Sequence, residues 1–463
     1  MEMFKKFKAN SNSIALVDDE IGVLKYKNLS DYIDFSKSKI NNKSVILLIA
    51  DNSAPFVLGY VSLLSCKNVI NILVDVSFSD KFIKDTIEKF KPNYVLSPKK
   101  KINLIKKYKT VISIYSYAIF ETNYNYNKNL DFKNFLLLST SGTTQSPKFV
   151  RLSKKNITDN TKKICASLPI KKSHSTVTTM PLGYSYGLSI LNTHLYKCGK
   201  IVLNNNTILE KTFWNKVKKY NINSFGGVPE FYEILKKINF EKYFLKSISY
   251  ITQAGGKLDD NTAEYLGALC KRNNAKFYIM YGQTEASPRM TILKWPQFFE
   301  KKKSIGKPLK DYKIKIINSK KKSLKINKKG EIVFYGDNVC LGYAKTIKDL
   351  KKGDTNKKTL YTGDLGFKDK DGYIYIVGRK SKFIKIYGKR LDLIEIEKFL
   401  QEKGIKVRCI IEDKALKLNL YNNQNKEEKI KLDLKDKFKI NQNFIIINKK
   451  FNKTFKDLNY EKK

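Results

Sequence analysis

One polar segment carries many of the side chains that could do chemistry. Residues 140–148 read Thr-Ser-Gly-Thr-Thr-Gln-Ser-Pro-Lys. The apolar residues 135–139 predict a strand that leads into the segment, and a helical pattern begins near Ser153 after it. Hydroxyl groups, a lysine and the backbone amides that Gly142 leaves accessible could together bind a polyphosphate. Neither the Walker A spacing nor a GxGxxG pattern occurs, so the two commonest nucleotide-binding folds lack support.

Other short motifs follow this segment in a fixed order along the chain. They are 181–188 (PLGYSYGL), 281–285 (YGQTE), 330–332 (GEI), 342–344 (GYA), 361–364 (YTGD), 372–373 (GY), 378–385 (GRKSKFIK), Gly388 and 395–397 (EIE). Together with 140–148 this set resembles the acyl-adenylate-forming, or AMP-binding, superfamily, which includes acyl- and aryl-CoA synthetases, firefly luciferase and peptide-synthetase adenylation domains. The family joins a carboxylic acid to ATP, giving acyl-AMP and pyrophosphate. It then passes the acyl group to an acceptor, usually a thiol.

The resemblance implies a phosphate loop in the first segment. Residues that would hold the β- and γ-phosphates of ATP, with Gly142 among them, are Thr140, Ser141, Thr143, Thr144 and Lys148. Such a site stabilises charge around the phosphates and needs no proton shuttle. This fits a chain with only two histidines.

The later motifs would complete the nucleotide site. The resemblance implies that the Tyr281 ring, beside Gly282, stacks on adenine, that Thr284 reaches the α-phosphate and that Glu285 holds Mg²⁺. Asp364 would accept hydrogen bonds from the ribose hydroxyls, as suits an ionised carboxylate. Arg379 would add a charged contact near the ribose.

The resemblance also places the acid and the acceptor. Gly255, Gly256 and residues 181–188 correspond to the walls of the acyl pocket. Tyr184 stands where amino-acid-activating members have Asp and many CoA ligases have His, which disfavours an amino acid. The remaining lining is apolar and aromatic, so a fatty, branched or aryl acid is expected, and with it a role in fatty acid metabolism. Lys385 lies on the strand that approaches the pantetheine thiol of CoA or of an acyl carrier protein.

Three positions depart from the family pattern. Gln145 replaces the usual second glycine of the phosphate loop, and Phe149 replaces the glycine after its lysine. Near the end, Asp457 stands where the family has a catalytic lysine, and Lys456 is one residue early. Lys456 takes that role if the register shifts, whereas Asp457 itself would repel phosphate and carboxylate.

Four functions follow from these observations. The leading interpretation is an ATP-dependent ligase that acts on a carboxylic acid other than an amino acid. It forms the acyl-AMP and passes the acyl group to CoA or to carrier-protein phosphopantetheine. A second is an acyl-AMP ligase that acylates an amine or a sugar without CoA. A third, motivated by Gln145 and Asp457, is a catalytically impaired member that acts as a binding protein. The fourth, a binder of nucleic acid or of membrane surfaces, rests on charge alone.

The elements that must position these residues form an α/β pattern. Strands are predicted at 44–50, 68–74 and 94–96, with helices at 56–66 and 80–90 between them. We therefore expect a large N-terminal domain, 1–378, built of α/β subdomains with a small barrel-like subdomain at about 300–378. The resemblance implies that a small, mobile α+β C-terminal domain, 379–463, follows and rotates about a hinge at Ser381. Two Lys- and Asn-rich stretches, 319–329 and 421–442, are expected to be solvated loops.

The composition of the 463-residue chain excludes several other classes. Lys and Arg number 90 against 43 Asp and Glu, a net charge of +47, yet only six of the 90 are arginines. The 84 lysines are spread evenly, which suggests an AT-rich coding genome and disfavours specific nucleic-acid binding. Six cysteines without CxxC spacing, and residues 1–10 without an apolar run, predict reduced thiols and a cytoplasmic location. No run of about 18 apolar residues predicts a transmembrane segment.

Overall fold

The computed structural model describes residues 4–41, 43–104, 108–124, 129–139, 148–380, 383–386, 389–405, 407–412, 415–420 and 427–448. The described residues up to Gly378 form one compact unit, and those from Arg379 onward belong to a second. Among them, no helix is long and apolar enough to cross a membrane.

Ten α-helices lie in the described part of the chain. They are α1 (Tyr26–Lys39), α2 (Ala54–Ser65), α3 (Asp80–Phe90), α4 (Lys154–Ser167), α5 (Ser185–Lys197), α6 (Lys211–Lys219), α7 (Pro229–Lys237), α8 (Asp260–Arg272), α9 (Leu393–Glu402) and α10 (Glu427–Phe438). The helix predicted at 80–90 is confirmed as α3. The helix predicted from Ser153 is confirmed as α4, which Ser153 caps by accepting a hydrogen bond from Asn156 N. The helix predicted at 56–66 begins two residues earlier, because Pro55 fits the first turn.

The strands of the large unit run from β1 to β21. They are β1 (Ile14–Asp18), β2 (Gly22–Lys25), β3 (Ser44–Ala50), β4 (Val69–Asp75), β5 (Tyr94–Pro98), β6 (Lys109–Ile114), β7 (Tyr117–Glu121), β8 (Leu136–Ser139), β9 (Phe149–Leu152), β10 (Ser175–Val177), β11 (Lys200–Val202), β12 (Ser224–Gly227), β13 (Tyr250–Gln253), β14 (Lys276–Gly282), β15 (Arg289–Leu293), β16 (Lys307–Pro308), β17 (Lys313–Ile317), β18 (Gly330–Tyr335), β19 (Gly342–Ala344), β20 (Thr359–Lys368) and β21 (Ile374–Arg379). The second unit has β22 (Phe383–Ile386), β23 (Lys389–Asp392), β24 (Val407–Glu412), β25 (Ala415–Leu420) and β26 (Ile445–Asn448).

Three sheets organise the large unit. A nine-stranded sheet has the order β16-β15-β14-β13-β12-β10-β11-β1-β2, and its centre, from β14 to β1, is parallel. An eight-stranded sheet has the order β19-β9-β8-β4-β3-β5-β7-β6, with β8, β4, β3 and β5 parallel. A smaller sheet, β17-β18-β20-β21, contains antiparallel pairs. Strands β16 and β19 come from the same part of the chain as this small sheet but join the two large sheets.

The eight-stranded sheet is buried on both faces. All seven residues of β3 are buried, and they alternate between two apolar clusters: Ile46 and Leu48 face one, and Val45 and Leu47 face the other. This alternation follows from the two-residue repeat of a strand. A continuous apolar run such as 44–50 is typical of a central parallel strand covered on both sides.

The second unit contains one correction to the sequence analysis. Residues 421–442 were expected to be a solvated loop, but helix α10 occupies Glu427–Phe438. Ile430, Leu434 and Phe438 are buried, with a four-residue spacing that places them on one helical face. The many lysines around them masked this periodicity. The stretch 319–329, in contrast, consists largely of exposed turns, as predicted.

Candidate functional site

The predicted adenine residue Tyr281 lies at the end of β14, where the chain turns into β15. The two strands pair antiparallel, and their register shifts between Tyr281 and Gly282. A Cβ atom on Gly282 would lie only 1.7 Å from the carbonyl oxygen of Pro288. Gly282 is therefore required by close backbone approach, and the turn holds the following residues in a fixed position.

Tyr281 and Asp364 meet at one carboxylate oxygen. Asp364 lies on β20 and is almost completely buried. Its Oδ2 accepts a hydrogen bond from Tyr281 Oη at 2.5 Å and another from Gln283 Nε2 at 3.0 Å. Gln283 also donates to the carbonyl oxygen of Thr362, 3.0 Å away. The structure thus brings together two predicted site residues and adds Gln283, which the sequence analysis did not single out.

Thr284 and Glu285 form a single helical turn after Gln283. The hydroxyl oxygen of Thr284 lies 3.0 Å from that of Ser185, the first residue of α5. The amino end of a helix carries partial positive charge and favours anions. Thr284 therefore sits beside a helix end that suits an acidic ligand.

Glu285 and Lys148 both contact Tyr343. Tyr343 Oη donates a hydrogen bond to Glu285 Oε1 at 2.9 Å, and Lys148 Nζ lies 3.7 Å from the centre of the Tyr343 ring. Glu285 is buried, and its carbonyl oxygen accepts a hydrogen bond from Cys340 N at 2.8 Å. The predicted lysine of the phosphate loop and the predicted metal carboxylate are thus joined through one tyrosine.

The chemistry of this set fits Mg²⁺ bound together with a phosphate. No cluster of three or more His, Cys, Asp or Glu side chains that could hold a metal occurs in the part of the chain that the structure describes. Mg²⁺ is commonly held by one or two carboxylates plus phosphate oxygens and waters. A single carboxylate, Glu285, beside the Thr284 hydroxyl and near Lys148 matches that donor set.

Strand β9 sets the position of Lys148. Phe149, which replaces a family glycine, is fully buried and packs edge-on against Phe90 with ring centres 5.3 Å apart. Strand β19 pairs with β9 so that Tyr343 lies opposite Val150. The replacement at 149 is therefore a core contact that anchors the strand directly after Lys148.

Arg151, on the same strand, ties β9 to a distant loop. Its guanidinium is fully buried and donates to the carbonyl oxygens of Leu341 and Gly353 at 2.8 and 3.0 Å. It also donates to Asn134 Oδ1 at 3.2 Å. These bonds hold the segment that carries Tyr343 against β9.

The predicted acyl-pocket residues Tyr184 and Gly255 are also neighbours. Gly255 has a φ of +92°, and a Cβ atom there would lie 2.8 Å from Val228 and 3.5 Å from Tyr184 Oη. Burial raises the pKa of Tyr184 to about 12, so its phenol is neutral at physiological pH. Gly256 lies next to Pro229. Leu188, in contrast, packs into a buried apolar cluster that contains residues of both large sheets, such as Leu16 and Leu48.

Several residues with predicted roles are not among the residues that the structure describes. They are Thr140, Ser141, Gly142, Thr143, Thr144, Gln145, Ser381, Gly388, Lys456 and Asp457. Arg379 ends β21, and Lys385 pairs with Arg390 in the β22–β23 hairpin. The roles given to all of these residues stay predictions.

Two buried arginines were missed as site candidates. Arg151 and Arg289 are 0% and 3% exposed. One signal was available, because a chain with 84 lysines retains only six arginines. Where lysine is the usual cation, a retained guanidinium indicates a need for its planar set of donors.

Comparisons with known proteins identify a family and several relatives. A family described as AMP-binding enzyme matches residues 27–344. Oxalate–CoA ligases from Arabidopsis thaliana and Saccharomyces cerevisiae are 30% and 31% identical over 270 and 264 residues, which is 57% of this chain in both cases. The D-alanine–D-alanyl carrier protein ligase of Bacillus licheniformis is 28% identical over 276 residues, 57% of this chain and 54% of its own length. The chain spans about half the length of the curated relatives it matches, 52% and 48% for the two oxalate–CoA ligases.

A solved structure shows the same fold over nearly the whole chain. The o-succinylbenzoate CoA synthetase of Bacillus subtilis, as a double mutant with a bound product analogue, matches with a TM-score of 0.75 and 19% identity. The match covers 98% of this chain and 96% of that chain. The same enzyme has also been solved in complex with ATP and magnesium, and that structure matches with a TM-score of 0.65 and 19% identity.

Proposed function

Because the chain belongs to the AMP-binding enzyme family, we propose that it is an AMP-forming ligase that activates a carboxylic acid and transfers the acyl group to a thiol. One observation supports this more than any other. Asp364, Tyr281 and Gln283 share one hydrogen-bonded group, and Tyr343 joins Glu285 to Lys148 in the same unit.

The first half-reaction would be an in-line substitution at the α-phosphorus of ATP. A carboxylate oxygen of the acid forms the new P–O bond as the bond to pyrophosphate breaks, giving acyl-AMP and pyrophosphate. Lys148 would offset negative charge on the phosphates, and the Thr284 hydroxyl would hydrogen-bond to the α-phosphate. Glu285 would hold Mg²⁺, which supplies positive charge to the phosphate oxygens.

The nucleoside would be held by the group around Asp364. Its buried carboxylate would accept hydrogen bonds from the ribose, while Tyr281 and Gln283 hold it in place from the protein side. Because this carboxylate is fixed before the nucleotide binds, little entropy is lost in orienting it.

The second half-reaction would exchange AMP for a thiol. The thiol of CoA or of carrier-protein phosphopantetheine gives up its proton to solvent, and the sulfur attacks the acyl carbon. The C–S bond of a thioester forms as the C–O bond to AMP breaks, and AMP leaves with the bonding electrons. Support for a thiol acceptor comes from the similarity to CoA ligases and to a carrier protein ligase.

For the acid, we retain the sequence prediction of a non-amino substrate that is fatty, branched or aryl. The phenol ring of Tyr184 beside Gly255 supports an aryl acid among these. The roles in fatty acid metabolism and the cytoplasmic location stay predictions.

The proposed function is tested by carboxylate-dependent exchange of pyrophosphate into ATP over a panel of fatty, aryl and other short acids. We expect exchange with at least one acid, and thioester formation when CoA or a holo carrier protein is added. Acyl-AMP without any thioester would favour an amine or sugar acceptor. No exchange together with no ATP binding would contradict the ligase proposal and favour a binding protein.

A single substitution sharpens this experiment. Asp364→Asn should raise the KM for ATP roughly 10- to 100-fold, because a charged hydrogen-bond acceptor is lost. Asp371→Asn is the matched control, since Asp371 is exposed and pairs with Lys301. Equal KM values in the two variants would show that Asp364 does not bind the nucleotide.

A further inference from the structure

Arg289 is a buried cation whose contacts are all to neutral groups. It begins β15, and Nε donates to Ser189 Oγ at 3.2 Å while Nη1 donates to Met280 Sδ at 3.0 Å. Its guanidinium carbon lies 5.0 Å from the centre of the Tyr186 ring. Across the described ranges of the chain, no carboxylate forms an ion pair with it. Burial without an acidic partner lowers the pKa of Arg289, but an arginine remains charged at physiological pH.

Arg151, the other buried arginine that the structure describes, has the contacts expected of a structural role. Arg151 donates to three carbonyl oxygens and an amide oxygen, so its two terminal nitrogens are well supplied with oxygen acceptors. Arg289 has one oxygen acceptor and one sulfur, which is a weak acceptor. Its Nη2 has no protein acceptor among the described residues. A buried charge left this way is costly unless an anion arrives to pair with it.

The position of Arg289 relates it to the proposed reaction centre. Ser185 and Ser189 lie on one face of α5, one helical turn or about 6 Å apart. Ser185 is beside Thr284, and Ser189 holds Arg289. Thr284 and the Arg289 guanidinium therefore each hydrogen-bond to a serine on the same face of α5, and the two serines are one helical turn apart.

Tyr186 relates Arg289 to the proposed acyl wall. Its ring covers the guanidinium, and its hydroxyl contacts both oxygens of Thr252, on the strand that leads to Gly255. The cation thus lies beside residues near which the acid would bind, and not at the surface of the unit.

We propose that Arg289 binds a second carboxylate of the acid, so that the substrate is a compact dicarboxylic acid. This inference rests on the proposed ligase function and narrows its substrate class. One carboxylate reacts at the α-phosphate beside Thr284, and the other is bound by the planar guanidinium, which lies along the same face of α5. An aryl dicarboxylate satisfies both this requirement and the aromatic surroundings, whereas a long fatty acid would leave the cation unpaired.

The test uses pairs of acids that differ only in the second carboxylate. Terephthalate is compared with benzoate, and glutarate with valerate, by kcat/KM in pyrophosphate exchange with the full chain. We expect the wild type to prefer each diacid roughly 100-fold or more, because a site with a buried cation rejects an analogue that leaves it unpaired. Arg289→Met should reverse the preference, and Arg289→Lys should retain part of it.

Binding gives a readout that does not depend on turnover. Terephthalate and glutarate should raise the Tm of the wild type more than benzoate and valerate do, and Arg289→Met should lose that difference. Arg151→Met is the matched control, because it removes a buried arginine that is already bound to carbonyl groups. It should lower the Tm of the ligand-free protein without changing the order of the acids.

Two results would overturn the inference in distinguishable ways. Exchange that favours the monoacids in the wild type, with the same order in Arg289→Met, would refute the role of Arg289 and leave the ligase function standing. No exchange with any acid, and no shift in Tm with ATP, would refute the ligase function and the inference with it.

Discussion

At the scale of single residues, the site depends on side chains that hold the charged side chains in position. Tyr343 contacts both Lys148 and Glu285, and Gln283 supports Asp364 beside Tyr281. Neither Tyr343 nor Gln283 has an obvious reactive group, so composition alone does not identify them. Their importance follows from the charged atoms that they hold in position.

Tyr343 should act as a positioning residue. Tyr343→Phe keeps the ring beside Lys148 but removes the hydrogen bond to Glu285, so kcat/KM for exchange should fall roughly 10-fold. Tyr343→Ala removes both contacts and should cost more. Tyr335→Phe is the control, because Tyr335 is also near a lysine, Lys315, but belongs to none of the site motifs. Unchanged kinetics in Tyr343→Phe, with the Tm of the wild type, would contradict the role.

At the scale of elements, α5 serves both the site and the core. Its first residues contact Thr284 and Thr252, while its last turn buries His194 with Nδ1 2.9 Å from the carbonyl oxygen of Ile190. Burial lowers the pKa of His194 to about 4, so the native imidazole is neutral and Nδ1 donates its proton to the carbonyl. The stability of the protein therefore depends on pH through His194, a residue of this helix that has no part in the proposed chemistry.

This burial makes stability depend on pH in one direction. Between the ordinary histidine pKa of 6.5 and the native value of about 4, the unfolded chain binds a proton that the native chain does not. The free energy of unfolding therefore falls as the pH drops, by about 2–3 kcal/mol from pH 7 to pH 4.5 for this residue. In His194→Gln, the free energy of unfolding, measured with urea at pH 7 and at pH 4.5, should therefore fall by about 2–3 kcal/mol less than in the wild type.

His174 provides the comparison for that measurement. Burial also lowers its pKa, but His174 is partly exposed and should contribute less. His174→Gln should thus retain most of the acid sensitivity of the wild type. If His194→Gln keeps the full loss instead, His194 is not the group responsible.

At the scale of the whole molecule, the charge of +47 is mostly unrelated to the site. Many lysines pair with nearby acids at the surface, as Lys302 does with Glu264, or lie in exposed turns. Such pairs contribute little to stability and are screened by salt. Long-range attraction of ATP and of acidic partners is the remaining effect of this charge.

Salt should separate that attraction from specific binding. We expect measurable binding of random double-stranded DNA at low ionic strength and a loss of at least about 100-fold between 50 and 200 mM salt. The KM for ATP should change far less over the same range, since buried contacts are screened weakly. DNA binding that persists at 200 mM salt would instead support the nucleic-acid interpretation.

The family, the α/β fold and the order of its elements could be read from the sequence. Strand 44–50 and helix 80–90 matched to the residue, because long apolar runs and strong 3.6-residue periodicity depend only on local order. Helix α10 was missed because only three of its buried positions carry large apolar residues on a lysine-rich background. The site residues in the motifs Tyr281–Glu285 and Tyr361–Asp364 were predicted from the resemblance of these motifs to the family.

Only the tertiary structure decided which of these residues touch. Arg289 lies four residues after Glu285 in the sequence, yet its side chain packs against Ser189 and Tyr186 on α5, about one hundred residues earlier. Whether an arginine is solvated or, like Arg151, donates its terminal nitrogens to carbonyl oxygens depends on neighbours that the chain brings together from far apart. Sequence determines which chemistry is available, whereas the folded environment decides the charge that a ligand must carry, because the cost of a buried cation depends on its surroundings.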